Sequence, residues 1–238
     1  MENVKKVLLL DEIERGECYL KMEENRNNSK KEIIFNKNTR YDFPDNIIRV
    51  TAGQGGEALL VLGSEKTALV DCGMAYCANK LLKKIHTVLE TEIAKTGKYR
   101  SIDYIFATHT HYDHIGAMAA VKAEWPQAQI CAGAYATKVF QREGAIQTIQ
   151  KMSVMASRLY GGASDIQIDV EKMQVDRVLQ DGDNISLGRE QIRAFSYMIY
   201  YLKKSSMGVA RTCDRPYSSM SVTVRLPSSI LEIEPRQI

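Results

Sequence analysis

Apolar positions come first in short runs and only later at helical spacing. Ile47–Thr51, Glu57–Leu62 and Lys66–Val70 are separated by Gly53-Gln54-Gly55-Gly56 and Gly63-Ser64, and brief apolar runs between glycine turns predict hairpins. Ala75–Lys95 puts Leu81, Leu82, Ile85, Val88, Leu89 and Ile93 on one broad face, which predicts a helix ended by Gly97. Ile102–Ala107 reads as a buried strand that runs directly into Thr108-His109-Thr110-His111-Tyr112-Asp113-His114. Ile115–Glu124 is a small-residue helix stopped by Trp125-Pro126, and Gln129–Cys131 is a short strand. Tyr135–Gln141 and Ala145–Leu159 carry a second helical pattern, closed by Gly161-Gly162. Its stripe of Val139, Phe140, Ile146, Ile149, Met152 and Met155 reads most simply as core, and otherwise as the lining of an apolar pocket. Val175–Leu179 and Gln191–Phe195 read as strands around an Asp181-Gly182-Asp183 turn. Strands first, then strands alternating with helices, imply a mixed α/β sheet with helices outside.

Composition narrows the class without choosing a function. The 238 residues are 45% hydrophobic, 26% charged and 8% aromatic, an ordinary globular balance. Lys and Arg (32) against Asp and Glu (29) leave +3, with no concentrated basic tract, so no nucleic-acid partner is expected. No run approaches a membrane span, and Val7–Leu10 is too short and too acidic in its flanks for an export signal. Cys18, Cys72, Cys77, Cys131 and Cys213 are odd in number and contain no C-x-x-C pair, which argues against a disulfide framework and for a reduced cytoplasmic protein.

Three of the four histidines fall within six residues, as H-x-H-x-D-H; the fourth, His86, sits within a helical pattern and reads as a solvated or packed residue. In extended chain, residues two apart face the same side, so His109 and His111 can aim at one point. As the chain turns into the next helix, Asp113 and His114 can aim at a second point nearby. Imidazole with carboxylate suits zinc, iron or manganese, and the lack of thiolates argues against a closed structural zinc. Two such ions about 3.5–4 Å apart can share a hydroxide that is nucleophilic at neutral pH.

The blocks T-H-T-H-Y-D-H-I-G-A at 108–117, T-A-L-V-D-C-G at 67–73 and D-G-D-N-I-S-L-G at 181–188 resemble, in order and spacing, the metallo-β-lactamase superfamily. The resemblance implies a four-layer αββα sandwich, two mixed sheets flanked by helices. It implies a metal-dependent hydrolase in which a metal-bound hydroxide attacks a thioester, ester, lactone or amide carbonyl of a small molecule. His109 and His111 would hold a first zinc, and Asp113 and His114 a second; iron or manganese are alternatives. Asp113 could also handle a proton, and Asp71 would support the histidine loop from behind. Cys72 reads as packed rather than ligating.

The superfamily's third histidine has no counterpart here. No histidine follows His114; counting from Asp181 puts the expected position near Tyr200, and anchoring on Lys204–Gly208 puts it near Leu202. The superfamily's bridging Asp and final histidine are not recognisable either; Asp214 is the only late carboxylate that could be offered as a bridge and Cys213 the only late thiol, and nothing in the sequence positions them. The chain therefore reads as an N-terminal arm or helix (1–45), a superfamily-like domain (46–196) and an atypical tail (197–238). The tail is expected to fall short of the strands that complete the second sheet, which a homodimer would then cover. A shifted frame or truncation is the favoured account of the tail, ahead of a divergent member with a partial site and of ligands from a partner chain. The same gap supports an alternative to the enzyme: a non-catalytic or impaired scaffold that has kept the fold and lost the site.

Overall fold

The computed structural model describes residues 6–8, 43–162, 166–199, 202–204, 210–212, 217–225 and 230–233, and the side chains of 43–162 and 166–195. The N-terminal arm or helix expected over 1–45 thus lies almost wholly outside the described residues; Lys6–Leu8 is a strand.

In chain order the elements are β1 (Lys6–Leu8), β2 (Ile47–Arg49), β3 (Leu59–Leu62), β4 (Thr67–Val70), α1 (Ala78–Thr96), β5 (Tyr104–Ala107), α2 (Tyr112–Ile115), α3 (Met118–Glu124), β6 (Gln129–Gly133), α4 (Ala134–Phe140), α5 (Glu143–Leu159), β7 (Arg177–Leu179), β8 (Asn184–Ser186), β9 (Gln191–Ile199), β10 (Leu202–Lys204), β11 (Ala210–Thr212), β12 (Tyr217–Arg225) and β13 (Ile230–Ile233). One sheet runs β2-β3-β4-β5-β6-β7, antiparallel across β2 to β4 and parallel from β4 to β7. A second runs β1-β13-β12-β9-β8, and β10 pairs with β11 separately.

Both faces of the first sheet are covered, which is why its central strands are apolar throughout rather than alternating with polar residues. Successive side chains go to opposite faces. Leu60, Leu62, Leu69, Ile105 and Ile130 join Leu81, Ile85 and Leu89 of α1 and Val121 and Trp125 at the helical side. Leu59, Val61, Val70, Phe106 and Cys131 meet Ile185, Leu187, Ile192 and Ala194 of the second sheet on the other side. The layered α/β sandwich expected from the sequence is the fold observed.

The strands expected at Val175–Leu179 and Gln191–Phe195 are β7 and β9; β8 lies between them in the chain, β7 closes the first sheet, and β8 and β9 belong to the second, with Gly182 (φ 85°) at the crossing. The helix expected over Ile115–Glu124 begins three residues earlier and is interrupted at Gly116-Ala117. Residues after 196 do supply strands to the second sheet: β12 pairs with β9 over its full length and β13 adds beyond it. Among the described residues no helix is long and apolar enough to cross a membrane.

Candidate metal centre

β4 and β5 are parallel neighbours, so their carboxyl ends emerge side by side, where open α/β sheets place their chemistry. From the end of β4 come Asp71, Cys72 and Gly73; from the end of β5 comes Thr108 and the histidine loop. The two strand ends are stitched together: the Asp71 amide donates to Phe106 O (2.8 Å), the Cys72 amide to His114 O (2.7 Å), and the Ala117 amide to Gly73 O (3.3 Å). Asp71 adopts φ 55°, the left-handed region that costs a residue with a side chain of order 1 kcal/mol and that aspartate tolerates better than most. His111 occupies the extended position ahead of α2, and its carbonyl accepts from the amides of His114 (3.0 Å) and Ile115 (3.1 Å). The loop therefore turns sharply after His111 and swings Asp113 and His114 inward.

The structure brings the motif side chains together. The His109 ring lies 4.1 Å from that of His114 and 4.6 Å from that of His111, centroid to centroid. Asp113 Oδ2 is 3.7 Å from His114 Nε2. Asp71, Thr108, His109, Asp113 and His114 are all buried, and His111 is half-buried.

Asp71 organises this cluster from behind. Its Oδ1 accepts from the Thr108 amide (2.9 Å), and its Oδ2 from the Thr108 hydroxyl (2.6 Å) and from His114 Nδ1 (2.8 Å). A hydroxyl has one proton, and the carboxylate takes it, so the 2.9 Å contact between Thr108 Oγ1 and His109 Nδ1 requires the imidazole to donate. One carboxylate thus sets both tautomers: directly for His114 and through Thr108 for His109. Each ring is left with its lone pair on Nε2. Asp71, His109 and His114 each offer a donor atom within 4.8 Å of one another, a group of three that could hold a metal ion, and both Asp71 oxygens also accept hydrogen bonds.

Among the described residues, two buried atoms at the centre have no hydrogen-bond partner, His109 Nε2 and Asp113 Oδ2. A buried carboxylate oxygen without a donor is costly, and a cation is what this acceptor-only pair lacks. The donor set therefore fits a divalent metal. Electrostatics agree. Burial, with the neighbouring His114 and His111, pushes His109 down to about 2, so its ring stays neutral. Burial also lowers His111, against the pull of Asp113. For His114 burial opposes the charged form, but the Asp71 carboxylate outweighs it and the net shift is upward.

Gly53–Gly56 covers the cluster. A Cβ on Gly56 would lie 2.6 Å from Asp113 O and 2.7 Å from His114 Cδ2, so backbone lies flat against that ring. The neck of this loop is clamped by Thr51, whose hydroxyl donates to Glu57 (2.6 Å) and accepts from the Ala58 amide (2.8 Å), while Arg49 pairs with Glu57 and Lys84 donates to the Thr51 carbonyl. Thr108 and Gly56 were not singled out from sequence as parts of the site. A threonine directly before the first histidine and a Gly-rich turn were the visible signals.

His86 is separate, pairing with Glu124 (2.8 Å) and tilting against Trp125. Cys72 is packed and its thiol is pushed well up by burial. Tyr200, Cys213 and Asp214 lie outside the described residues, and Leu202 lies in β10.

The metallo-beta-lactamase superfamily model matches residues 53–192, and the chain belongs to that superfamily. Two solved structures of a Cronobacter sakazakii metallo-β-lactamase with a HARLDQ motif, one of them a mutant, share the fold. They are 19% and 20% identical to the chain, with a TM-score of 0.50 in each case, and the match covers 81% of this chain and 62% of theirs. The chain thus spans less than two thirds of the length of these relatives. No curated relative matches the sequence.

Proposed function

We propose that the chain is a metal-dependent hydrolase of a small-molecule ester, thioester, lactone or amide, with His109, His111, Asp113 and His114 as metal ligands and the unit 46–196 carrying the site. The observation that carries this reading is the pair of partnerless buried acceptors, His109 Nε2 and Asp113 Oδ2, inside a cluster whose tautomers Asp71 sets. Zinc, up to two ions, is the metal proposed from neutral imidazole and carboxylate donors, with iron or manganese as alternatives. When bound, the metal supplies an acidified water and a Lewis acid for the carbonyl oxygen. The chain's own residues do the rest. Asp71 and Thr108 hold two rings in register, the buried walls exclude bulk water, and Asp113 Oδ2 can take or return a proton beside the carbonyl carbon. The cytoplasm is the proposed location and a homodimer the proposed assembly, both from the sequence reading.

A second reading, a scaffold that has lost activity, is favoured by one observation: no histidine follows His114. Elemental analysis separates the two. One to two equivalents of metal that fall to near zero in His109→Ala, and stay unchanged in His86→Ala, support the hydrolase. A metal-free protein after exposure to zinc overturns it in favour of the scaffold.

Affinity should also depend on pH with a defined sign. Ligation needs neutral rings, and Asp71 makes His114 hold a proton to higher pH than an ordinary imidazole. Zinc affinity is expected to fall as pH is lowered from about 8 to 6, approaching about tenfold per pH unit for each proton displaced. Competition titrations at several pH values measure this; an affinity flat over that range removes His114 from the ligand set.

A further inference from the structure

The candidate centre is closed off from water. His109 Nε2 and Asp113 Oδ2, the two partnerless acceptors at its heart, are both buried. An ion or a carbonyl compound arriving from solvent must therefore displace part of the wall. Among the described residues, most of that wall is tied down. β4 and β5 stand behind the cluster, paired strand to strand. Asp71 holds Thr108 and His114, and the Cys72 amide and Gly73 carbonyl are bonded to the histidine loop and the residues after it. The remaining side is the cover, Gly53–Gly56, which lies outside any helix or strand, with Gly53 and Gln54 exposed at its tip. Three glycines in four residues give it the backbone freedom of a hinge.

The cover sits on the short turn Ala75–Cys77 and on Met74 ahead of it. A Cβ on Gly53 would lie 2.2 Å from Cys77 Sγ and 2.9 Å from the Tyr76 hydroxyl oxygen, and one on Gly55 would lie 2.5 Å from Met74 Cε. Contact is close, yet among the described residues a single hydrogen bond joins 53–56 to the rest of the chain: the Gln54 amide donates to the Tyr76 hydroxyl (3.2 Å). The base of the loop, by contrast, is clamped by Thr51, Glu57 and Ala58. The loop is thus anchored at its neck and fastened at its tip by one bond.

Tyr76 is itself held in place. Its ring stacks on that of Tyr160 (centroids 6.0 Å apart, planes 19° apart), and a Cβ on Gly162 would lie 2.9 Å from Tyr76 Cβ. The phenol is a fixed post, and the loop is the part free to move. One hydrogen bond at an exposed tip is worth little, so an open form is a minor but reachable state.

We propose that Gly53–Gly56 is a gate over the candidate centre and that Tyr76 is the positioning residue that latches it, so that metal ion and substrate reach His109 and Asp113 when the Gln54 amide lets go of the Tyr76 hydroxyl. The inference rests on the hydrolase reading for what passes the gate, and on the cover alone for the gate itself.

The test uses the full chain and two readouts, of which the first needs no metal. Diethyl pyrocarbonate, a small carbonyl reagent, acylates imidazole nitrogen; in chelator-treated protein, site-resolved mass spectrometry follows His109, with His86, whose side chain is 43% exposed, as the internal standard. His109 is expected to react far more slowly than His86. Tyr76→Phe keeps the ring and its stacking but deletes the latch, and should quicken His109 about two- to tenfold, the range that an ordinary hydrogen bond is worth, with His86 unchanged. The second readout is zinc exchange by stopped flow: Tyr76→Phe should raise association and dissociation rates by the same factor and leave affinity unchanged, because the closed cover remains the dominant form. Gly55→Ala, which sets a side chain at φ 106° against Met74, should also quicken His109, and it carries the comparison if Tyr76→Phe does not fold. A His109 rate that neither variant changes, a zinc dissociation rate that rises alone with weakened affinity, or a His109 rate that rises together with alkylation of Cys131, buried between the sheets, each overturns the proposal. A chain that takes up no zinc but shows the quickened His109 keeps the gate and removes the hydrolase. A chain that binds zinc at rates indifferent to both variants keeps the metal centre and removes the gate.

Discussion

Asp71→Ala is expected to destabilise the protein by about 3–5 kcal/mol, the usual result of removing one partner of a buried charged pair, and to weaken metal binding by about 10–100-fold. Three buried donors lose their acceptor together: the Thr108 amide, the Thr108 hydroxyl and His114 Nδ1. The tautomer logic then fails as well. Thr108 is free to donate to His109 Nδ1, which puts the ring proton on Nε2, where a metal must bind. Asp71→Asn is the sharper probe. Asparagine tolerates the left-handed backbone at this position and can still accept from Thr108, but it removes the charge that orients His114. Urea melts and zinc titrations should therefore rank wild type above Asn above Ala for both properties. A stable Asp71→Ala protein with undiminished affinity would show that the carboxylate is not the organiser described here.

Gly56→Ala adds a single methyl group and is expected to cost about 1–3 kcal/mol, the range for overpacking a full site. The size of the effect follows from what stands in the way. The Asp113 carbonyl, at 2.6 Å, is main chain held by the turn into α2, and the His114 ring, at 2.7–2.8 Å, is buried on its other sides. Neither is the loose end of a flexible side chain. Either the cover lifts or the ring shifts, and both degrade the cluster. Thermal melts should show the loss, and zinc affinity should fall with it. A variant that melts and binds like wild type would mean that the cover does not rest on His114.

The histidine loop was legible in the sequence because its information is local: residue types, spacing and a preceding apolar strand all fall between 102 and 114. The first sheet was legible for a related reason, since strands buried on both faces read as unbroken apolar runs. What escaped notice depends on distant contacts. That Thr108 relays Asp71 to His109 follows from the register of β4 beside β5, which no single segment encodes. The interruption at Gly116-Ala117 has the same origin. A Cβ on Gly116 would lie 2.4 Å from the Ala75 amide nitrogen, so that glycine is where two chain segments nearly touch. The strands of the tail were not read from sequence for lack of bulk: Met220, Val222 and Val224 do alternate with polar residues between Pro216 and Pro227, but serine and threonine fill much of the rest. The pairing of β12 with β9 spans nine residues and emerges only when the partner is present.

That pairing has a consequence for how the protein is made. The second layer sets β1, from residues 6–8, directly beside β13, from residues 230–233. A nascent chain leaving the ribosome therefore has the whole first sheet and the histidine loop available while the opposite layer still awaits its last strands. Until they arrive, Ile185, Ile192 and Ala194 have only part of their sheet around them, and Val61, Val70 and Phe106 lie beneath an unfinished cover. The machinery for chemistry can assemble before the wall behind it is closed, and the interval of translation between residues 195 and 233 is when this chain has most need of a chaperone.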